Sequence, residues 1–182
     1  LGDDKIDCTI RDDQYKTDVT KRNFEEFLDM EIVFYLNYST GSTLALKKDF
    51  EEEQMPTIPA SFHAGNLVDS NYIFLPIASY SAQAIGLAEY VVKHHQGDAP
   101  KAAMFIHPSA FGRGPVEDVK KAIAAGLKME IVEVVEHGKD LDNTAMLQRL
   151  MSKGVQYVIC HTVQSPVATV LIQDGTLHAS DV

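Results

Sequence analysis

Apolar and polar positions along the chain follow two periods. "KIDCTIR" (5–11) alternates in the manner of a half-buried strand, whereas "IVFYL", "AAMFIH" and "YVIC" are short unbroken apolar runs. Between them the spacing turns helical. "TKRNFEEFL" sets Phe24, Phe27 and Leu28 on one face, and "SAQAIGLAEYVVKHH" does the same with Ile85, Ala88, Val91 and Val92. "PVEDVKKAIAAG" aligns Val116, Val119 and Ile123, carries Pro115 and acids in its predicted first turn, and stops at Gly126. "DNTAMLQRLMSKG" opens on an Asp/Asn cap and closes on Gly154. Strand and helix alternating in this way predict parallel βαβ units, hence an α/β fold. The unbroken apolar runs predict a sheet covered on both faces.

The two kinds of connection differ in chemistry. Helix-to-strand joints are charged and contain Gly: "HHQGDAPKA", "AAGLKME", "MSKGVQ". Strand-to-helix joints carry hydroxyls and rings: "NYSTGST", "PASFHAGNL", "IASYSAQ", "HPSAFGRGP", "HTVQSP". Ligands of open parallel sheets bind at the carboxyl ends of strands, so this asymmetry places the working face on the second set of loops.

Composition removes several function classes. The 182 residues are 45% hydrophobic, which suits one compact domain or two small lobes. With 16 Lys and Arg against 26 Asp and Glu, the net charge of −10 argues against nucleic acid as a partner. No run reaches the roughly 20 apolar residues of a membrane-spanning helix, and "LGDDKIDC" does not read as a signal peptide. Cys8 and Cys160 fall within apparent strands and are expected to be buried free thiols.

Catalytic and metal motifs are likewise missing from the sequence. A P-loop requires G-x-x-x-x-G-K-[ST], a dinucleotide site G-x-G-x-x-G and a hydrolase elbow G-x-S-x-G, and none is present. The seven histidines show no ligand spacing, and His94–His95 read as cations at a helix end. "RDDQY" could hold a divalent cation, but the acceptor Asp and Lys that a receiver domain needs are not placed for it. Its acids are expected to close a strand and start a turn. "YSTGST" remains, either as a helix cap alone or as a seat for an anion at a helix N-terminus; the similar loops "PASFH" and "IASYSAQ" raise the second reading.

Taken in order, "IRDDQY", "NYSTGSTLALK", "MPTIPASFH", "YIFLPIASYSAQ", "HPSAFGRGPVEDVKKA" and "LDNTAMLQRLMSKGVQYVI" resemble the extracellular solute-binding proteins of ABC transporters with the type I periplasmic fold. The receptors for branched-chain amino acids, amides and aromatic acids are the most similar group, over residues 5 to about 171. The resemblance implies a bilobal α/β protein, parallel sheets flanked by helices, with residues 1–79 in the N-terminal lobe and 80–182 in the C-terminal lobe. It also implies that the family's first strand and the C-terminal part lie outside this sequence.

By the same resemblance Tyr38, Ser39 and Thr40 hold a solute's carboxylate or amide oxygen, and Ala60, Ser61 and Phe62 supply a carbonyl and a donor. Tyr80, Ser81, Phe111, Val163 and Gln164 would line the cleft from the second lobe. Phe62 and Val163 stand where hydroxyl-bearing residues are frequent, which implies a more apolar cleft. The implied function is non-enzymatic: binding an amino acid, an amide or an aromatic or aliphatic carboxylate for an ABC permease in the periplasm or at the cell surface. No cofactor or metal is implied, and a second copy of the chain is a candidate partner. A ligand-sensing domain of a receptor or regulator with the same fold is the alternative.

Overall fold

The computed structural model describes residues 5–137 and 143–163. The order of elements is α1 (Thr17–Leu28), β1 (Tyr35–Asn37), α2 (Thr40–Glu52), β2 (Thr57–Pro59), a 3-10 turn (Ala64–Asn66), α3 (Tyr80–His94), β3 (Lys101–Ile106), α4 (Ala110–Ala124), β4 (Glu130–Glu136), α5 (Thr144–Ser152) and β5 (Tyr157–His161). The expected α/β fold is present, as parallel sheets flanked by helices. β1 and β2 pair in parallel with Tyr35 opposite Thr57, and the second sheet has the parallel order β4-β3-β5. No described helix is long and apolar enough to cross a membrane.

Each sheet is built on its own apolar cluster. In the first, Phe24 of α1 meets Tyr35 at 5.2 Å between ring centroids and Phe50 of α2 at 5.1 Å. These tilted and edge-on contacts add to the area that burial removes from water. In the second, β3 is buried from Ala102 to Ile106. Its even-numbered residues Ala102, Met104 and Ile106 pack with Ala84 and Ala88 of α3 and Val116 and Val119 of α4. Its odd-numbered Ala103 and Phe105 pack against Leu147 and Leu150 of α5. The unbroken apolar run of β3 is thereby explained by burial on both faces.

Four expectations change. Among the described residues the runs "IVFYL" and "YVIC" are covered on one face only, β1 being confined to Tyr35–Asn37 with Leu36 63% exposed and β5 leaving Val158 42% exposed. The alternating segment 5–11 forms no strand and is exposed; a strand is defined by its ladder, and no described strand lies beside this one. Cys8 and Cys160 are free, as expected, but exposed, the first in that unpaired segment and the second on β5, the last strand of its sheet among the described residues, beside inward-facing Ile159. The helix expected to start at Pro115 begins at Ala110, which puts Pro115 inside it. The run "EIVEVVE", which period alone leaves unassigned, is β4.

The acids of "RDDQY" start a turn, as anticipated, but they close no strand, because none forms over 5–11. Asp12 and Asp13 accept from the amides of Gln14 and Tyr15 at 2.8 Å each, and Asp13 accepts from Thr20 Oγ1 at 2.6 Å. These short-range bonds hold Gln14 and Tyr15 at positive φ and fix the entry to α1. Further on, Glu51 of α2 organises residues 70–72. Its carboxylate accepts from Ser70 Oγ at 2.8 Å, from the Asn71 and Tyr72 amides at 2.7 and 3.1 Å, and from Asn71 Nδ2 at 3.1 Å.

The hydroxyl of Ser70, followed by these amides, holds the Glu51 carboxyl down at about 2. A depressed carboxyl stabilises the fold above its unfolded value, and that contribution disappears as pH falls from about 4.3 toward 2. Thermal melts of the wild type should therefore fall between pH 4.5 and pH 2.5, and Glu51→Gln should flatten that limb in part while lowering the melting temperature at pH 7. Parallel acid limbs in the two proteins would contradict the assignment.

Candidate functional site

The loop between β1 and α2 separates its hydroxyls into two groups. Ser42 and Thr43 are buried and belong to the framework: Asn37 Nδ2 donates to Ser42 Oγ at 3.2 Å and to Thr43 Oγ1 at 2.8 Å, and Thr43 Oγ1 donates to the Ser39 carbonyl at 2.7 Å. Ser39 is different. It sits at φ 100° and ψ 134°, in a region that a residue with a Cβ rarely adopts, at a cost of order 1–3 kcal/mol. Its Oγ accepts from the Ser42 amide at 3.4 Å, a long and weak cap. Capping therefore explains little of this geometry. What the backbone achieves is to bring the Ser39 side chain to the opening of α2, beside the free amides of its first turn.

Thr40 points to the neighbouring strand end. Its Oγ1 lies 2.7 Å from Ser61 Oγ, with both residues buried. β2 places Ser61 there because the Ala60 amide donates to the Asn37 carbonyl at 2.7 Å, which extends the parallel pairing by one step beyond Pro59. Asn66 Nδ2 then donates to the Ser61 carbonyl at 2.8 Å and closes the turn. Tyr38 is 68% exposed and contacts Tyr15 edge-on at 6.1 Å.

Next to Ser61 begins a chain of rings. The Tyr80 amide donates to the Phe62 carbonyl at 2.7 Å, and the two rings lie 5.6 Å apart. Tyr80 meets Phe111 edge-on at 5.0 Å and His161 at 4.8 Å, while Phe111 and His161 lie 4.2 Å apart. Residues from the β2 loop, the start of α3, the start of α4 and the end of β5 are thus joined in one cluster. The hydroxyl pair stands one residue away from it along the chain.

Sequence reasoning missed two residues here: His161, a member of the cluster, and His63, whose ring lies beside it against α4. The His63 Nδ1 accepts from the Gly65 amide at 3.0 Å, which caps the 3-10 turn, and its ring rests on the backbone of α4 at Gly114. A Cβ on Gly114 would lie 2.5 Å from His63 Cδ2 and 2.6 Å from Nε2. Burial lowers the pKa of His63, opposed by the Asp118 charge; burial also lowers that of His161. The available signal was positional, since "SFH" and "YVICH" each put a His at a strand's carboxyl end, but His is ambiguous between core and surface.

Ser81 falls elsewhere. Ser81 is buried and donates to Asp118 Oδ2 at 2.7 Å, joining α3 to α4. That bond, then Lys121, holds the Asp118 carboxyl below its ordinary value. Gln164 lies outside the described residues, and Val163, the last of them, is half exposed. Among the described residues no three His, Cys, Asp or Glu side chains converge as metal ligands.

Residues 1–173 match the family profile described as periplasmic binding protein. Among solved structures, a branched chain amino acid ABC transporter from Thermus thermophilus with bound valine is similar, with 45% identity and a TM-score of 0.85. The similarity covers 94% of this chain and 45% of that one. A substrate binding protein from Aeropyrum pernix shares 25% identity at a TM-score of 0.75, covering 88% of this chain and 44% of that one. A solute binding protein from Rhodopseudomonas palustris in complex with p-hydroxybenzoic acid shows the same fold at 16% identity and a TM-score of 0.71, covering 92% of this chain and 46% of that one. The chain therefore spans about half the length of the solved structures it resembles. No curated protein matches it.

Gly114→Ala should push the His63 ring off α4, costing about 1–3 kcal/mol in urea denaturation as overpacking does. In a His63→Ala background the same change should cost far less. Equal costs in both backgrounds would show that the ring does not set this approach. A second outcome follows from the lowered histidines. A His that prefers its neutral form in the fold lowers stability once pH drops below about 6.5, its unfolded value. Between pH 7 and pH 5 the melting temperature should therefore fall, and less so in the His63→Ala, His161→Phe double variant.

Proposed function

The chain belongs to the periplasmic binding protein family, and on that premise we propose that it carries part of an interlobe solute cleft, residues 1–79 contributing to one lobe and 80–182 to the other. The solute is an amino acid, an amide or an aromatic or aliphatic carboxylate, bound without chemical change and delivered to an ABC permease on the outer side of the membrane. The observation that carries this reading is the backbone of Ser39. A strained residue with a weak cap, next to the Thr40–Ser61 pair, is what a polar head requires: donors held in place before the ligand arrives.

The ring chain Phe62–Tyr80–Phe111–His161 supports the rest of the proposal, because it supplies an apolar wall directly beyond the hydroxyls. Polar groups few in number and fixed in place, set beside aromatic surface, characterise small-molecule sites. Valine in the Thermus thermophilus structure fits this division into a charged head and an aliphatic body. Among the described residues no activating base is bonded to these hydroxyls. Thr40 and Ser61 are bonded to each other, and the nearby His63 uses its Nδ1 on Gly65. Binding and release, without turnover, is the function these contacts support.

Ser39→Ala should weaken binding of valine by about 1–3 kcal/mol if its hydroxyl meets a charged oxygen, while global stability falls by no more than about 1 kcal/mol, the size of a lost cap. Titration calorimetry with valine and urea denaturation measure the two quantities. Unchanged affinity would return Ser39 to a purely structural role.

A further inference from the structure

Helix α4 contains an accounting problem at its second turn. Pro115 lies six residues into the helix, where a proline has no N–H to offer the carbonyl four residues earlier. That carbonyl is Phe111 C=O. The turn before it is regular, with the Arg113 amide donating to the Ser109 carbonyl at 3.0 Å. A helix-interior carbonyl left without its amide must find another donor or lose the free energy of a hydrogen bond. It finds one fifty residues away: His161 Nε2 lies 3.1 Å from the Phe111 oxygen. A carbonyl only accepts, so this bond requires the proton on Nε2 and leaves Nδ1 bare in the neutral ring.

We propose that Pro115 is a positioning residue of the solute site: by withholding its amide it reserves the Phe111 carbonyl for His161 Nε2–H, and this bond seats the Phe111 and His161 rings against Tyr80. The inference rests on the reading of the ring cluster as a cleft wall, and it adds a reason why that wall has one arrangement. Three observations converge on it. The rings of Phe111 and His161 are 4.2 Å apart and both contact Tyr80. Gly112 admits the chain before α4 so closely that a Cβ there would lie 2.0 Å from the His107 carbonyl oxygen, and the His107 amide in turn donates to the His161 carbonyl at 3.1 Å. The end of β5 is thus tied to the start of α4 by a backbone bond at His107 and a side-chain bond at Phe111, and the second depends on an acceptor that an ordinary residue at 115 would share.

The charged and titratable groups around the histidine are consistent with a neutral ring. His63 faces it from the 61–66 loop and disfavours a second charge, Asp118 on α4 is engaged by Ser81 and Lys121, and burial favours the uncharged form. The bond to Phe111 opposes that lowering, so weakening it should move the His161 pKa further down.

The test compares Pro115→Ala, His161→Phe and the double variant of the full chain, with Val119→Ala as a control that loosens α4 without touching the carbonyl. Long-range nitrogen–proton NMR reads the His161 tautomer and its titration. The Nε2–H form should dominate in the wild type and in Val119→Ala; in Pro115→Ala its share should fall several-fold and the midpoint should move to lower pH. Affinity for valine should drop about three- to tenfold in both Pro115→Ala and His161→Phe, with no further loss in the double variant. An unchanged tautomer and midpoint in Pro115→Ala would overturn the proposal, as would fully additive losses in affinity. If the chain binds no valine, the binding role of the cluster fails, while the tautomer measurement still decides whether Pro115 positions His161.

Discussion

Parallel pairing is the constraint on which the remaining structure depends. β1 with β2, and β3 with both β4 and β5, all run the same way, so each return to the sheet requires a crossover helix. Strand ends and helix starts therefore collect on one side. α2 begins at Thr40, α3 at Tyr80 and α4 at Ala110, and each start exposes amides that no residue within the helix can satisfy. Hydroxyls and rings placed in those loops are concentrated without any long-range signal in the sequence. The opposite ends, where Gly126 and Gly154 turn the chain at positive φ, carry charge and no comparable cluster among the described residues.

Within that arrangement, α4 sets the spacing of the ring cluster. Gly112 lets the β3 loop lie against it, Gly114 lets the His63 ring do so, and Pro115 leaves one carbonyl for a partner outside the helix. Three residues poor at forming helix occur within four positions, and α4 persists because Val116 and Val119 are buried against β3 and α3. Local propensity yields here to tertiary contact, as is common where a helix forms the wall of a site.

Much of the architecture was legible from period and punctuation. The run "AAMFIH" marks β3 because burial on both faces leaves no polar position, and "SAQAIGLAEYVVKHH" marks α3 within one residue at each end. Segment 5–11 misled because alternation records what a strand's faces require and says nothing of whether a neighbour is present. Pro115 misled because proline is commonest in a first turn, and only the contact with His161 accounts for it further in. Ser39, Thr40, Ser61, Phe62, Tyr80 and Phe111 were singled out through strand-end chemistry and family resemblance together, and the structure brings Thr40 to Ser61 and joins the three rings. His63 and His161 were not, since their roles come from bonds to Gly65 and Phe111 that no spacing along the chain encodes.

The central claim is that the strained Ser39, the Thr40–Ser61 pair and a ring wall form a solute site rather than a well-capped helix beside a surface cluster. Native mass spectrometry of the chain, as purified and after addition of valine, leucine or 4-hydroxybenzoate, tests it most directly. The account predicts one bound small molecule per chain, lost on gentle activation and displaced by an excess of a competing solute. A bare mass under every condition, at solute concentrations up to the millimolar range that corresponds to about 4 kcal/mol of binding, would contradict it.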